Sequence, residues 1–201
     1  MTLRLIGTGF GRTGTDSMCK ALNILGAGPT HHMFELETNL RLRQSWLDLA
    51  KGAEPDWKML FSGYHACVDW PSAFYWRTLV DEYPTAKVLL TTRSAESWWN
   101  SFKATILKHI LNSKDPDSFS RLLVADQVFE GRPDDKEHAI KIFNRNTEEV
   151  IATVDSERLL VHTLGDGWGP LCQWLEVSIP DIEYPIGNTT HDFNHYIGKE
   201  K

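Results

Sequence analysis

Short apolar runs alternate along the chain with longer stretches in which apolar residues recur every three or four positions. Residues 3–8, Leu-Arg-Leu-Ile-Gly-Thr, predict a buried strand, and 15–25 predict a helix that begins directly after a glycine-rich loop. Residues 28–33 suit a short, rather polar second strand, and 35–51 carry helical periodicity through Leu36, Leu40, Leu47 and Leu49. The stretch 57–68 stays ambiguous. Pro71 suits the first turn of a helix over 71–83, with Asp69 or Trp70 at its entry and Pro84 as its stop. Lys-Val-Leu-Leu-Thr-Thr at 87–92 is a clear strand, followed by a helix over 95–111, a polar loop at 112–118, helical stretches at 119–129 and 134–154, and a further strand at 158–163. Strands alternating with helices imply an α/β fold with a central parallel sheet flanked by helices, whose ligands lie at the carboxyl ends of the strands. The tail from Pro180 is rich in turn residues and predicts an irregular surface segment.

Composition narrows the function classes. A length of 201 residues with 41% hydrophobic and 24% charged content suits one globular domain spanning the chain. A formal charge of -6 argues against nucleic acid or an anionic membrane as the main partner, because polyanion binding needs a basic field. The opening apolar stretch is too short for a signal peptide or a spanning helix, so a cytoplasmic protein is expected. Cys19, Cys67 and Cys172 are odd in number and widely spaced, which suggests buried thiols rather than a disulfide framework or a zinc site.

The loop Gly9-Phe-Gly-Arg-Thr-Gly14 fits two templates, a GxGxxG dinucleotide turn and the glycine spacing of a P-loop. For an NAD(P)-binding Rossmann-type protein, Glu35 stands near the distance required of the ribose-binding acid. The segment leading to it, however, is not the continuous aliphatic strand such a sheet would bury. A small-molecule kinase would need Lys-[Ser/Thr] after Gly14, and Thr15-Asp16 stand there instead. A loop with Arg12 inside it and a helix behind it still offers backbone N–H groups to an anion, without the equipment for a magnesium triphosphate.

Arg12-Thr-Gly-Thr15 after a strand resembles the 5′-phosphosulfate loop of the sulfotransferases that use 3′-phosphoadenosine 5′-phosphosulfate. Arg93 at a strand end with Ser101 eight positions on resembles the 3′-phosphate signature of the same family. Ser94-Ala-Glu-Ser-Trp-Trp-Asn100, His32-Met33, Asp69-Trp-Pro71, Tyr83-Pro84 and Gly167-Trp168 are similar to segments of its compact bacterial and fungal members. The resemblance implies a P-loop nucleotide-binding fold and a sulfotransferase moving a sulfuryl group to a hydroxyl or amine of a small-molecule acceptor, with no metal. Gly11, Arg12, Thr13, Gly14, Thr15 and Asp16 would hold the donor's 5′ end, and Arg93 and Ser101 its 3′-phosphate. Two departures stand out: Ser17-Met18 replace an adenine-stacking Trp, and the family's C-terminal Arg-Lys-Gly motif is absent.

Sulfuryl transfer requires charge stabilisation on the leaving phosphate, a task suited to Arg12 and the loop amides, and a base for the acceptor. The base candidates are His32, Glu35, His65 and Asp69. His32 is favoured because an unperturbed imidazole titrates near neutrality. Asp69 equally reads as a helix N-cap, and Glu35 as a solvated first-turn acid. His191 and His195 have the spacing of a helical metal pair without a third ligand. Trp98, Trp99 and Phe102 read as core packing, and Trp168 lies where a parallel sheet places its ligands. A homodimer stays open, as does a non-catalytic nucleotide-binding relative that kept the fold and lost the reaction.

Overall fold

The computed structural model describes residues 2–187, 190, 192 and 193. Among them, β1 (Leu5–Gly7), β2 (Thr30–His31), β3 (Ala66–Cys67), β4 (Lys87–Thr92) and β5 (Leu159–Thr163) form one all-parallel sheet in the order β2-β3-β1-β4-β5. Leu5 of β1 stands opposite Ala66 on one side and Lys87 on the other, and β4 runs beside β5 from Val88–Leu159 to Thr92–Thr163.

Side chains alternate between the two faces as a pleated strand requires. Leu5, Ala66, Val68 and Leu89 pack on one face against Met18, Ala21 and Leu22 of α1 (Thr15–Ile24) and Leu171 and Cys172 of the C-terminal helix Trp168–Leu175. The spacing of the three α1 residues is that of an apolar stripe. On the other face Ile6 and Cys67 join an aromatic core containing Trp46, Trp98, Phe102 and Phe129. Val88 and Leu90 meet Trp76 and Val150. Each such aliphatic side chain contributes roughly 1.5–3 kcal/mol when fully buried, and coverage of both faces explains why the strands read as apolar runs.

From β1 the chain passes outward to β2, returns to β3, and then crosses to β4 on the far side of β1. The order therefore reverses at β1, and a crevice opens beyond its carboxyl end. The loop after β1, His32 after β2, Asp69 after β3, Arg93 after β4 and Gly165–Gly167 after β5 all converge there.

Several boundaries differ from the sequence expectations. The helix predicted over 35–51 is two, α2 (Glu35–Thr38) and α3 (Leu40–Ala50), because Asn39 leaves helical geometry and its side chain accepts from the Leu42 N–H at 3.0 Å as an N-cap. The ambiguous stretch 57–68 holds α4 (Trp57–Leu60) and the buried strand β3. Pro71 does not open a helix. The Trp70–Pro71 peptide is cis, residues 69–74 turn with Ala73 N–H on the Asp69 carbonyl, and α5 begins at Trp76. Asp69 is accordingly no helix cap: its φ is 68° and its Oδ1 accepts from the Trp70 N–H at 2.8 Å.

The helix after β4 comprises α6 (Ala95–Phe102), a π-helical turn Lys103–Leu107 and α7 (Lys108–Asn112). The stretch predicted at 119–129 is also π-helical, over Ser120–Val128. It is followed by α8 (Lys136–Thr153), and α9 is the helix Trp168–Leu175.

Candidate active site

The loop between β1 and α1 is pinned from behind. The Thr8 carbonyl accepts from Asn146 Nδ2 at 3.0 Å, the Phe10 carbonyl from Thr13 Oγ1 at 2.7 Å, the Gly11 carbonyl from Trp98 Nε1 at 3.1 Å, and the Arg12 carbonyl from Arg93 at 3.2 Å. In a trans peptide the N–H points opposite to the C=O, so four anchored carbonyls turn the following amides away from the core. Gly14 (φ 91°) caps α1 without a side-chain bond, which leaves the first-turn N–H groups of the helix to the crevice. Arg12 itself adopts φ 76°, a conformation L-residues seldom hold unless the surroundings enforce it. At Gly9 a Cβ would come within 2.1 Å of Thr91 Oγ1 and 2.4 Å of its carbonyl oxygen, so the loop can lie this close to β4 only with glycine there.

A cleft of about 660 Å³ opens over this loop, bounded by Arg12 to Met18, by Arg93, Ser97 and Ser101, and by Leu164, Gly165 and Gly167 after β5. Arg12 Nε donates to Ser101 Oγ at 3.0 Å, and Arg93 donates to Ser97 Oγ. The two arginines and Ser101 thus form one cluster at the cleft floor. Burial lowers the pKa of Arg12, with Asp69 opposing that shift and Arg93 adding to it; burial also lowers that of Arg93. Arg93 Nε is buried with no hydrogen-bond partner among the described residues. Two half-desolvated cations and an orphaned donor facing a row of amides are a receptor for anionic groups.

Not every residue of the loop points its side chain into the cleft. Thr13 Oγ1 also lies 2.7 Å from Thr91 Oγ1, so its hydroxyl braces the loop and only its amide is left for a ligand. Thr15 Oγ1 sits 3.3 Å from His32 Nε2, and Asp16 pairs with Lys20 at 2.7 Å along α1.

His32 and Asp69 meet beside the loop. His32 Nε2 is 3.0 Å from Asp69 Oδ2, while His32 Nδ1 lies 3.3 Å from the Phe34 backbone nitrogen. A backbone N–H can only donate, so Nδ1 accepts and the Nε2 proton is directed at the carboxylate. Both imidazole nitrogens are thereby engaged. Asp69, in contrast, lines a second cavity of about 90 Å³ that shares Arg12 with the large cleft and contains Phe34, Glu37, Ile106, His109 and Phe193.

The other candidates lie elsewhere. Glu35 accepts from the Tyr64 hydroxyl at 3.0 Å, lines neither cavity, and helps burial push the tyrosine up to about 12. An acid placed there does not serve as the ribose ligand that a dinucleotide fold requires. His65 precedes β3, its carbonyl receiving the Arg4 and Leu5 amides, and so stands at the amino end of the sheet, away from the loop. His31 is fully buried, accepts from Trp46 Nε1 at 3.3 Å, and is held at about 3 by burial and by His32. Trp168 is packed inward, its Nε1 donating to the Ile182 carbonyl at 2.9 Å, and it anchors the segment that carries Tyr184 to Gly187 across the cleft. That segment belongs to the irregular tail expected from Pro180 onward, and it forms one wall of the cleft. The Gly187 N–H donates to Ser17 Oγ at 3.1 Å, and the Tyr184 ring stacks on His162 at 5.9 Å between centroids. Ser97 is a missed residue; its place one turn beyond Arg93 was the available signal. His191 and His195 lie outside the described residues. Among the described residues no cluster of three or more His, Cys, Asp or Glu side chains is arranged to hold a metal. None of their helices is long and apolar enough to cross a membrane.

Comparison with known proteins accords with this geometry. Ava biosynthesis cluster protein M of Aspergillus versicolor is 27% identical over 210 residues, covering 91% of this chain and 80% of that protein. The family model described as the sulfotransferase domain matches residues 4–193, from just before β1 to Phe193 in the wall of the small cavity. An α/β fold with an all-parallel sheet, a phosphate-type loop after its first strand, and a match across nearly the whole length make this chain a member of the sulfotransferase family.

Proposed function

We propose that the protein transfers a sulfuryl group from 3′-phosphoadenosine 5′-phosphosulfate to a small-molecule acceptor. The observation that carries this reading is the convergence of Arg12, Arg93 and Ser101 on a loop with four of its carbonyls tied back. The amides of the loop, the N-terminus of α1 and Arg12 suit the 5′-phosphosulfate. Arg93, Ser101 and Ser97 suit the 3′-phosphate, with the orphaned Arg93 Nε as an added donor. Tyr184, Pro185 and His162 line the same cleft and offer a wall for the adenine in place of the absent stacking Trp. A relative named for a biosynthesis cluster favours a small-molecule acceptor.

The donor brings an already activated sulfuryl group, so the protein must orient it, neutralise the leaving phosphate and accept a proton. Arg12 stands at the junction of both cavities, where it meets charge developing on the bridging oxygen. Asp69 is the base: it faces the acceptor cavity, while His32 holds the carboxylate through Nε2–H and has its second nitrogen occupied. This shifts the base from the imidazole that sequence alone favours to its carboxylate partner.

Calorimetry with 3′,5′-adenosine bisphosphate tests the donor. Binding is expected with or without a chelator, since Thr15-Asp16 stand where a magnesium-nucleotide loop carries Lys-[Ser/Thr] and are engaged by His32 and Lys20. Arg93→Ala should remove discrimination between the bisphosphate and 5′-AMP. Equal loss of affinity for both nucleotides, or a requirement for magnesium, would defeat the reading.

A further inference from the structure

Trp98 belongs to the core, yet it reaches the loop. It is fully buried, and its indole is sandwiched between Phe102, at 5.0 Å between centroids and 15° between planes, and Phe143 of α8, at 4.6 Å and 10°. Stacking of this kind needs only rings, and a phenylalanine would serve it. The indole adds an N–H, and the sandwich aims it at the Gly11 carbonyl, 3.1 Å away. Ser97 and Ser101, each one residue before Trp98 and Phe102, line the cleft from the same helix α6. One helix thus carries two groups suited to the 3′-phosphate and a strut to the loop suited to the 5′ end.

The strut meets the loop where its backbone is least relaxed. Arg12 holds φ 76°, which an L-residue keeps only under restraint from its surroundings. Both peptide planes that flank it are held: Trp98 donates to the Gly11 carbonyl, and Arg93 donates to the Arg12 carbonyl at 3.2 Å. With the Gly11 carbonyl turned to the indole, the Arg12 N–H points the opposite way, out of the core. With both planes fixed, the Arg12 side chain leaves in the direction that brings its Nε to 3.0 Å from Ser101 Oγ.

Resting on the donor reading above, we propose that Trp98 is a positioning residue for the 5′-phosphosulfate, holding Arg12 through the Gly11 carbonyl in the conformation that presents its amide and guanidinium. Without the indole N–H, Arg12 relaxes toward negative φ and that presentation is lost. The groups suited to the 3′-phosphate stay in place, because β4 and α6 carry them.

The test is calorimetry on the full chain with 3′,5′-adenosine bisphosphate and adenosine 3′-monophosphate, whose affinity ratio isolates the contribution of the 5′-phosphate. Two variants delete the N–H: Trp98→Phe, and replacement of Trp98 by 3-benzothienylalanine, in which sulfur takes the place of the N–H at nearly the same shape. Each should lower the ratio by about tenfold or more, the scale of one hydrogen bond to a charged group, with monophosphate affinity changed by less than about threefold. Phe102→Leu, which loosens the same stack and keeps the N–H, should lower the melting temperature and leave the ratio unchanged. A ratio unaltered by the benzothienyl replacement, equal losses for both nucleotides, or the same drop in Phe102→Leu would overturn the proposal. A wild-type protein that binds the bisphosphate no more tightly than the monophosphate would instead overturn the donor reading beneath it.

Discussion

The phosphate-type loop owes its shape to a side chain that resemblance would cast as a ligand. Thr13 is 2% exposed, and its hydroxyl spans the Phe10 carbonyl and the Thr91 hydroxyl, each at 2.7 Å. Thr13→Val keeps the size and branching and deletes both hydrogen bonds. It leaves a buried carbonyl without its donor and a buried hydroxyl without its neighbour, each costing about 1–3 kcal/mol. The expected destabilisation is about 2–4 kcal/mol, read as a lower denaturant midpoint at constant m-value. At roughly 2–4 °C per kcal/mol for a chain of this size, the melting temperature should fall by about 5–15 °C. Thr13→Ser, which retains the hydroxyl, should lose about 1 kcal/mol. Bisphosphate affinity of the folded Thr13→Val protein should fall by less than about tenfold, because only its amide faces the ligand. A stability loss below about 0.5 kcal/mol, or affinity lost by a hundredfold or more at unchanged stability, would refute the assignment of Thr13 as a brace.

Asp69→Asn should lower kcat by about 10²- to 10⁴-fold with donor affinity intact, and His32→Ala by only about tenfold. A dead His32→Ala beside a nearly normal Asp69→Asn would return the base to the imidazole. Gly11→Ala places a Cβ 2.9 Å from Asp69 Oδ1 and 3.0 Å from the Trp70 ring, so turnover should fall by about tenfold or more while calorimetry shows little change in bisphosphate binding. Equal losses in turnover and affinity would show that Gly11 serves the donor instead. His31, held at about 3 by burial, binds fewer protons folded than unfolded once the pH drops below about 6.5. Its contribution is therefore full above that pH and is lost toward pH 3, by up to about 1.4 kcal/mol per unit. His31→Phe should flatten the acid limb of a denaturation series, and an unchanged slope would contradict the burial argument.

The parts of the fold that could be read from sequence are those where one local rule acts alone. Lys87–Thr92 is a strand in both descriptions because Val88, Leu89 and Leu90 are buried on alternating faces and nothing in the run competes. Residues 35–51 were misleading because the leucine spacing continues across Asn39, and only the cap bond to Leu42 breaks the helix. The strand Ala66–Cys67 is too short to show a period at all; its place comes from pairing with Leu5 and Ile6 on one side and Thr30 and His31 on the other. Pro71 had the form of a helix opener, yet the backbone turns back at Asp69 and the helix starts five residues later, at Trp76.

Of the site proposed above, the phosphate half leaves a trace in the sequence and the acceptor half does not, for a physical reason. Phosphate recognition depends on backbone amides, a glycine that permits φ 91° and a cation within one loop, so it leaves a contiguous trace such as Gly11-Arg-Thr-Gly14. Even there the trace does not say where side chains turn: the Thr13 and Thr15 hydroxyls lie against Thr91 and His32. Proton transfer instead depends on the meeting of residues from different strands. His32 and Asp69 are 37 positions apart in sequence, and the order of action proposed for them rests on the Phe34 N–H occupying one nitrogen and the carboxylate the other. An N-cap and a base are written with the same letter; what removes the cap reading at Asp69 is a φ of 68° and a carboxylate that accepts from the Trp70 N–H and meets His32, the arrangement on which its proposed role as the base rests.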